Sequence, residues 1–200
     1  MEDVAAFIRA LNVGKVHLVG NSYSGRLVGY VALKYPELLR SVIMGEPSII
    51  APTSAEGKAA VAVLQKDQAK TRAAAMAGDA KQAVMLLWAA VLDDPDAFQK
   101  ATPVQHQRWL DNANTLALSF ADTSGRALSV TCEQLGALKV PALVVTGEKT
   151  RASYRYGNEM LFSCLPKGTA SAVVPNAPHN WFAVNPTAAA KAILAFITQH

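Results

Sequence analysis

Ser22 stands in a segment that suits a nucleophilic serine. The segment VHLVGNSYSG, residues 16–25, runs from a short apolar strand through a sharp turn into a helix. Such a turn lifts a serine hydroxyl off the end of a sheet, provided that the residues two before and two after it, here Gly20 and Ser24, are small. The backbone N–H of Tyr23 has no acceptor within the new helix, so we expect it to point at an oxyanion that forms on the substrate.

Two other interpretations fit the same turn. A glycine-containing turn between a strand and a helix also binds dinucleotide phosphates, but that motif is G-x-G-x-x-G, and this turn has a serine at the second glycine. The third interpretation is an ordinary structural turn, since Ser24 replaces the second glycine of a strict G-x-S-x-G pattern. The turn alone leaves the three interpretations open.

A nucleophilic serine needs a base, and histidine is the usual one. Of the four histidines, His17 lies inside the predicted strand before the turn, His106 lies in the helical middle of the chain, and His200 is the last residue. His179 lies in the loop PNAPHNWFAVNP after the last predicted strand, where a parallel sheet presents its chemistry. We therefore expect His179 to be the base. Trp181 is expected to hold this loop by packing and to line the substrate site.

Together these segments resemble the α/β-hydrolase superfamily. The turn segment, followed by LKYPELLRSVI, is similar to the nucleophile elbow, helix and next strand of that superfamily. VPALVVTGEK and the histidine loop are similar to its last two strands. The resemblance implies a serine hydrolase acting on a carboxylic ester or a related small acyl substrate, with Ser22 as nucleophile, His179 as base and the Tyr23 N–H at the oxyanion. It implies no cofactor and no metal.

The sequence departs from the superfamily at the acid that should orient the histidine. The usual position is three residues beyond Gly147, and it holds Thr150 here, which carries no negative charge. Glu46 ends the strand after the elbow helix, where some lipases of this fold carry their acid. Glu148 lies nearer the usual place but out of register. Both keep the chain order serine, acid, histidine, and we expect Glu46 to serve, with Glu148 as the alternative.

The elements that must position these residues follow from the hydrophobic pattern. Strand, helix and strand within residues 1–46 form a βαβ unit, which predicts a parallel sheet of the α/β class. The alanine-rich stretch 47–139 reads as a helical insertion that resembles the cap of the superfamily, and residues 140–200 return to the hydrolase core. The predicted strands are 16–19, 40–45, 140–146 and 170–174, and the predicted helices are 3–12, 25–35, 55–76, 79–92, 95–100, 104–120, 131–138, 153–165 and 187–198.

Composition limits the function classes. The chain has 200 residues, 51% of them hydrophobic and 17% charged, so it can bury a core. Its net charge of +4 is scattered, which argues against a nucleic-acid partner, and no run reaches the ~18 apolar residues of a membrane helix. Cys132 and Cys164 lack the spacing of a metal site or a disulfide framework, so we expect them to be reduced and buried. With no secretory leader in the opening residues, these features predict a cytoplasmic protein.

The resemblance also implies segments that this sequence does not contain. The superfamily usually has four further strands and a helix before the helix at 3–12, and one loop among them supplies the second oxyanion donor. The chain therefore resembles the C-terminal portion of the sheet, and we expect its first strand to be an open edge that promotes self-association. The alternative function is a truncated or non-catalytic member of the fold that binds a partner without turnover.

Overall fold

A four-stranded parallel sheet forms the centre of the computed structural model, which describes residues 1–121 and 129–200. The strands are β1 Val16–Asn21, β2 Leu39–Gly45, β3 Ala142–Gly147 and β4 Ala170–Val174. They lie side by side in chain order, and every neighbouring pair is parallel. The predicted α/β class with a parallel sheet is confirmed.

Alternate side chains of the central strands enter two separate cores. In β2, Val42 and Met44 belong to one buried cluster and Ile43 to the other, as the two-residue period of a strand requires. Because both faces of the sheet are covered at the centre, residues 42–44 of β2 and residues 142–145 of β3 are continuous apolar runs. The helices of this unit are α1 Glu2–Leu11, α2 Tyr23–Lys34, α8 Cys132–Gly136, α9 Ala152–Cys164, α10 Trp181–Val184 and α11 Pro186–Ile197.

The chain divides into two compact units. The first combines Met1–Ser54 with Val130–His200 and contains the sheet, and the second is Ala55–Ser129. The boundaries 47–139 of the expected insertion stay a prediction, and residues 122–128 within it lie outside the described residues. The helices of the second unit are α3 Ala55–Met76, α4 Ala80–Leu92, α5 Ala97–Lys100, α6 Pro103–Asp111 and α7 Thr115–Ala121.

The single helix expected at 104–120 is wrong, because the chain breaks at Asn112. The Asn112 side-chain amide donates to the carbonyl oxygen of Arg108 at 2.8 Å, and the Thr115 hydroxyl donates to the carbonyl oxygen of Asn112 at 2.7 Å. These short polar side chains compete with the helical backbone for its hydrogen-bonding groups. Two helices, α6 and α7, therefore replace one.

The two cysteines are joined, contrary to the sequence prediction. Cys132 begins α8 and Cys164 ends α9, and their sulfur atoms form a disulfide across a separation of 32 residues. Sequence spacing could not show this pairing, because it depends on how α8 packs beside α9. The argument for a reducing compartment loses its basis, and the cytoplasmic location stays a prediction. Within the described residues, no helix is both long enough and apolar enough to cross a membrane.

Candidate active site

Ser22 lies at the junction between β1 and α2 in a strained backbone conformation. Its φ of 56° and ψ of −122° fall where non-glycine residues are rarely found, and such strain concentrates at functional sites. The N–H of Ser22 donates to the carbonyl oxygen of Gly45 at 2.7 Å, which ties the turn to the end of β2. The side chain is thus held at the carboxyl edge of the sheet, where open parallel sheets bind ligands.

Two glycines allow the turn to close. A Cβ at Gly20 would lie 2.3 Å from the carbonyl oxygen of Ser24, and a Cβ at Gly25 would lie 2.7 Å from the carbonyl oxygen of Gly45. Both distances are too short for a side chain. The close approach therefore constrains Gly20 and Gly25, whereas Ser24 is exposed and tolerates its hydroxymethyl group.

His179 is buried at the same edge of the sheet and is hydrogen-bonded to a carboxylate. Only 3% of the residue is exposed, and its Nδ1 contacts Oε2 of Glu46. Since an ionised carboxylate only accepts hydrogen bonds, this contact assigns the proton to Nδ1 and leaves Nε2 as an acceptor. Nε2 has no hydrogen-bond partner among the described residues.

Glu46 is completely buried, and three groups surround its carboxylate. Besides His179, the N–H of Gly147 donates to Oε1 at 2.7 Å and the Thr150 hydroxyl donates to Oε2 at 2.8 Å. These bonds offset the cost of removing a carboxylate from water. Thr150, at the position where the resemblance placed an acid, thus supports an acid that comes from the neighbouring strand.

Glu148 lies elsewhere. Its side chain is exposed and accepts a hydrogen bond from the N–H of Asn176 at 2.6 Å, while its own N–H donates to the carbonyl oxygen of Val174. It therefore fixes the loop after β4. Of the two candidate carboxylates, the structure brings Glu46 to the histidine.

The two remaining predicted site residues differ in position. The Tyr23 side chain is exposed, and its backbone N–H lies in the first turn of α2, where N–H groups lack helical acceptors. The Trp181 ring is buried in the second core cluster and packs against Gly45, where a Cβ would lie 2.4 Å from the ring. Packing of Trp181 is thus observed, and its contact with substrate stays a prediction.

Each of the other histidines has a contact partner of its own among the described residues. Nδ1 of His17 contacts the Ser41 hydroxyl oxygen at 2.7 Å, and Nε2 of His106 contacts the carbonyl oxygen of Phe98. The His200 ring lies 4.7 Å from that of Phe196. None of the three contacts Glu46 among the described residues.

Two further residues that the sequence did not indicate contact the histidine. The Tyr154 ring stacks on the His179 imidazole with 3.8 Å between ring centroids and 14° between planes. The Asn21 side-chain amide donates to the backbone carbonyl oxygen of His179 at 3.3 Å. Asn21 lies within the elbow motif, which could have drawn attention to it, but the contact of Tyr154 is a packing event without a local sequence signal.

Burial raises the pKa of the Tyr154 hydroxyl far above its usual value. The negative charge of Glu46 adds to this shift, and the positive charge of Arg151 opposes it. Tyr154 therefore stays a neutral phenol at physiological pH. Its ring lies against the imidazole as an uncharged aromatic surface.

Solved structures with this fold are similar in shape and distant in sequence. MGS-M2, an alpha/beta hydrolase enzyme from a Medee basin deep-sea metagenome library, matches with a TM-score of 0.72 and 18% identity, over 100% of this chain and 70% of that chain. A bacterial membrane phospholipase A matches with a TM-score of 0.74 and 20% identity, over 99% of this chain and 61% of that chain. Naproxen esterase from Bacillus subtilis matches with a TM-score of 0.69 and 18% identity, over 97% of this chain and 64% of that chain. At these identities the likeness shows the fold alone.

Sequence comparison gives the family. No curated protein sequence matches the chain. The sequence model described as alpha/beta hydrolase fold matches residues 1–186 of the 200, a range that includes Ser22, Glu46 and His179. The chain therefore belongs to the alpha/beta hydrolase fold family.

Proposed function

We propose that the chain is a serine hydrolase that acts on a carboxylic ester or a related small acyl substrate. The observation that carries this proposal is the buried hydrogen bond between Glu46 and His179 at the carboxyl edge of the sheet. Ser22 lies at the same edge, in a strained turn that closely matches a nucleophile elbow. Nucleophile, base and acid follow one another along the chain in the order found on this fold.

In the proposed mechanism, Ser22 Oγ attacks the acyl carbon while Nε2 of His179 takes the hydroxyl proton. The carbonyl oxygen becomes an oxyanion, and the N–H of Tyr23 donates to it. Glu46 stabilises the imidazolium without taking its proton. His179 then protonates the departing alcohol, which leaves an acyl group on Ser22. A water molecule, deprotonated by Nε2, then attacks the acyl carbon; the bond to Ser22 Oγ breaks, the acid leaves, and Nε2 returns the proton to Oγ.

The geometry of Nε2 also leaves a second candidate, a member of the fold that binds a partner without turnover. Nε2 makes no hydrogen bond to Ser22 or to any other described residue. Hydrogen bonds of this kind are often long without substrate and shorten only when it binds. The enzyme is the stronger proposal, because a buried carboxylate costs desolvation energy, and its contact with Nδ1 is the arrangement that orients a histidine base.

Labelling with a fluorophosphonate, which reacts with activated serines, tests the proposal. We expect the wild-type chain to be labelled, Ser22→Ala to be unlabelled and His179→Ala to be labelled much more slowly. Ser24→Ala is the matched control, because this exposed serine is two residues from the nucleophile, and it should be labelled like the wild type. If circular dichroism shows a folded wild-type chain that does not react, the enzyme proposal fails and the binding protein replaces it.

A further inference from the structure

We propose that Tyr154 is a positioning residue for His179: its ring fixes the plane of the imidazole and favours the imidazolium that forms during proton transfer. The inference rests on the proposed function, because it assigns a role within the same site. It concerns a residue on α9 that belongs to neither the elbow nor the histidine loop.

The first part of the argument is geometric. The bond from Nδ1 to Glu46 fixes one point of the imidazole, and the bond from Asn21 to the His179 carbonyl oxygen fixes its backbone. Neither contact stops the ring from rotating about the line from Nδ1 to the carboxylate, a rotation that would swing Nε2 away from a serine. Tyr154 lies parallel to the imidazole, 3.8 Å away, and prevents this rotation.

The second part concerns how firmly Tyr154 itself is held. It is 5% exposed and lies on α9, one helical turn before Asn158 on the same face. The Asn158 amide donates to the Thr146 hydroxyl at 2.7 Å and to the carbonyl oxygen of Val145 at 3.3 Å. This face of α9 is thereby fixed to β3, so the tyrosine ring is a rigid surface for the histidine.

The third part is electrostatic. The face of an aromatic ring carries partial negative charge, so it attracts a charged imidazolium more strongly than a neutral imidazole. The stack therefore strengthens when His179 accepts a proton, and a contact that strengthens along the reaction coordinate accelerates the reaction. Among the described residues, the titratable groups recorded against the imidazole are the Glu46 carboxylate and the neutral Tyr154, while the charge of Arg151 acts on Tyr154.

The test compares Tyr154→Leu, which loses the aromatic face, with Tyr154→Phe, which keeps it. The measurement is the rate of fluorophosphonate labelling of Ser22 as a function of pH. For Tyr154→Leu we expect a rate roughly 10-fold lower, the size of a buried cation–π contact, and a lower pH midpoint, because the imidazolium loses stabilisation. Tyr154→Phe should stay within about twofold of the wild type. A purely structural role would lower the reactive fraction without moving the midpoint.

A second series avoids variants that fail to fold. Phenylalanines with increasing fluorination at position 154 keep the shape of the ring and progressively remove the negative charge from its face. A stepwise fall of rate and midpoint supports the inference. Equal rates and midpoints across the series overturn it, while labelling of the wild type leaves the proposed function standing.

The inference can also be tested without activity. In Ser22→Ala, titration of the His179 imidazole by NMR gives its pKa directly, and adding Tyr154→Leu should lower that value. An unchanged value overturns the inference whether or not the wild type reacts with the probe. Absence of labelling in a folded wild type counts against the proposed function alone.

Discussion

At the scale of single residues, the position of one carboxylate determines the candidate site. Glu46 and Glu148 both precede His179 in the chain, and only the three-dimensional structure separates them. Glu46 accepts hydrogen bonds from two groups of the β3 end and contacts the histidine, whereas Glu148 is exposed and binds the backbone of Asn176. A buried acid of this kind holds one histidine tautomer and stabilises the charge that develops on it.

Glu46→Gln should abolish most of the proposed hydrolase activity. A glutamine amide cannot balance an imidazolium, and its NH2 group can donate to Nδ1, which moves the histidine proton to Nε2 and removes the base. We expect the rate of ester hydrolysis to fall on the order of 10³- to 10⁴-fold. The matched control is Glu148→Gln, which should stay near the wild-type rate. The reverse result would assign the acid to Glu148 and contradict this site.

At the scale of elements, the sequence predicted the features that depend on residues close together along the chain. The strands and helices around the elbow follow from the hydrophobic pattern, and Ser22 could be proposed as the nucleophile because its whole setting lies within ten residues. The sequence favours Glu46 over Glu148, but the contact of Glu46 with His179 depends on strand register, which the sequence does not show. Gly45 pairs with Val145, which brings the end of β2 to the Gly147 N–H.

Contacts between distant segments could not be predicted in this way. Tyr154 meets His179 only because α9 packs beside β3, and an amphipathic helix has several positions where a buried tyrosine would look the same in the sequence. The pairing of Cys132 with Cys164 has the same origin. The helix predicted over 104–120 is interrupted at Asn112, because local side-chain hydrogen bonds outweigh a continuous helical pattern.

The elbow itself should be intolerant of a single methyl group. In Gly20→Ala the new Cβ would lie 2.3 Å from the backbone oxygen of Ser24, so strand and helix must separate. We expect the free energy of unfolding to fall by about 1–3 kcal/mol, as overpacking typically costs, together with loss of labelling at Ser22. Urea denaturation measures the first effect and fluorophosphonate reactivity the second.

The control for this variant is Gly157→Ala in α9. A Cβ there has no neighbouring atom within 4 Å, and alanine favours a helix over glycine by roughly 0.5–1 kcal/mol. This variant should be as stable as the wild type or more stable. If both alanine variants behave alike, the close approach at Gly20 does not limit the elbow.

At the scale of the whole molecule, the disulfide should be a measurable source of stability. Cys132 and Cys164 close a loop between α8 and α9 with a sequence separation of 32. Such a link reduces the entropy of the unfolded chain and typically contributes about 2–4 kcal/mol. We expect reductant to lower the urea midpoint of the wild type and to leave the double variant C132S/C164S unchanged. Two free thiols in the oxidised, folded protein would contradict the bond.

The sheet also presents an open edge, and we propose that it causes self-association. β1 and β4 are the outer strands of the described sheet. Val19 on β1 is 47% exposed, and the preceding segment exposes Phe7, Leu11 and Val13. An edge strand has backbone groups that another chain can pair with, and adjacent apolar surface strengthens such contacts.

Sedimentation velocity over a range of concentrations tests this proposal. The wild type should form larger species as its concentration rises, whereas Val19→Lys, which places a charge on the β1 edge, should shift the population toward monomer. Val173→Lys is the matched control, because Val173 is also an exposed valine, on the opposite edge strand β4. If only the Val173→Lys variant shifts toward monomer, the self-association contact lies at β4 and not at β1. A wild type that stays monomeric at every concentration would show that neither edge promotes association.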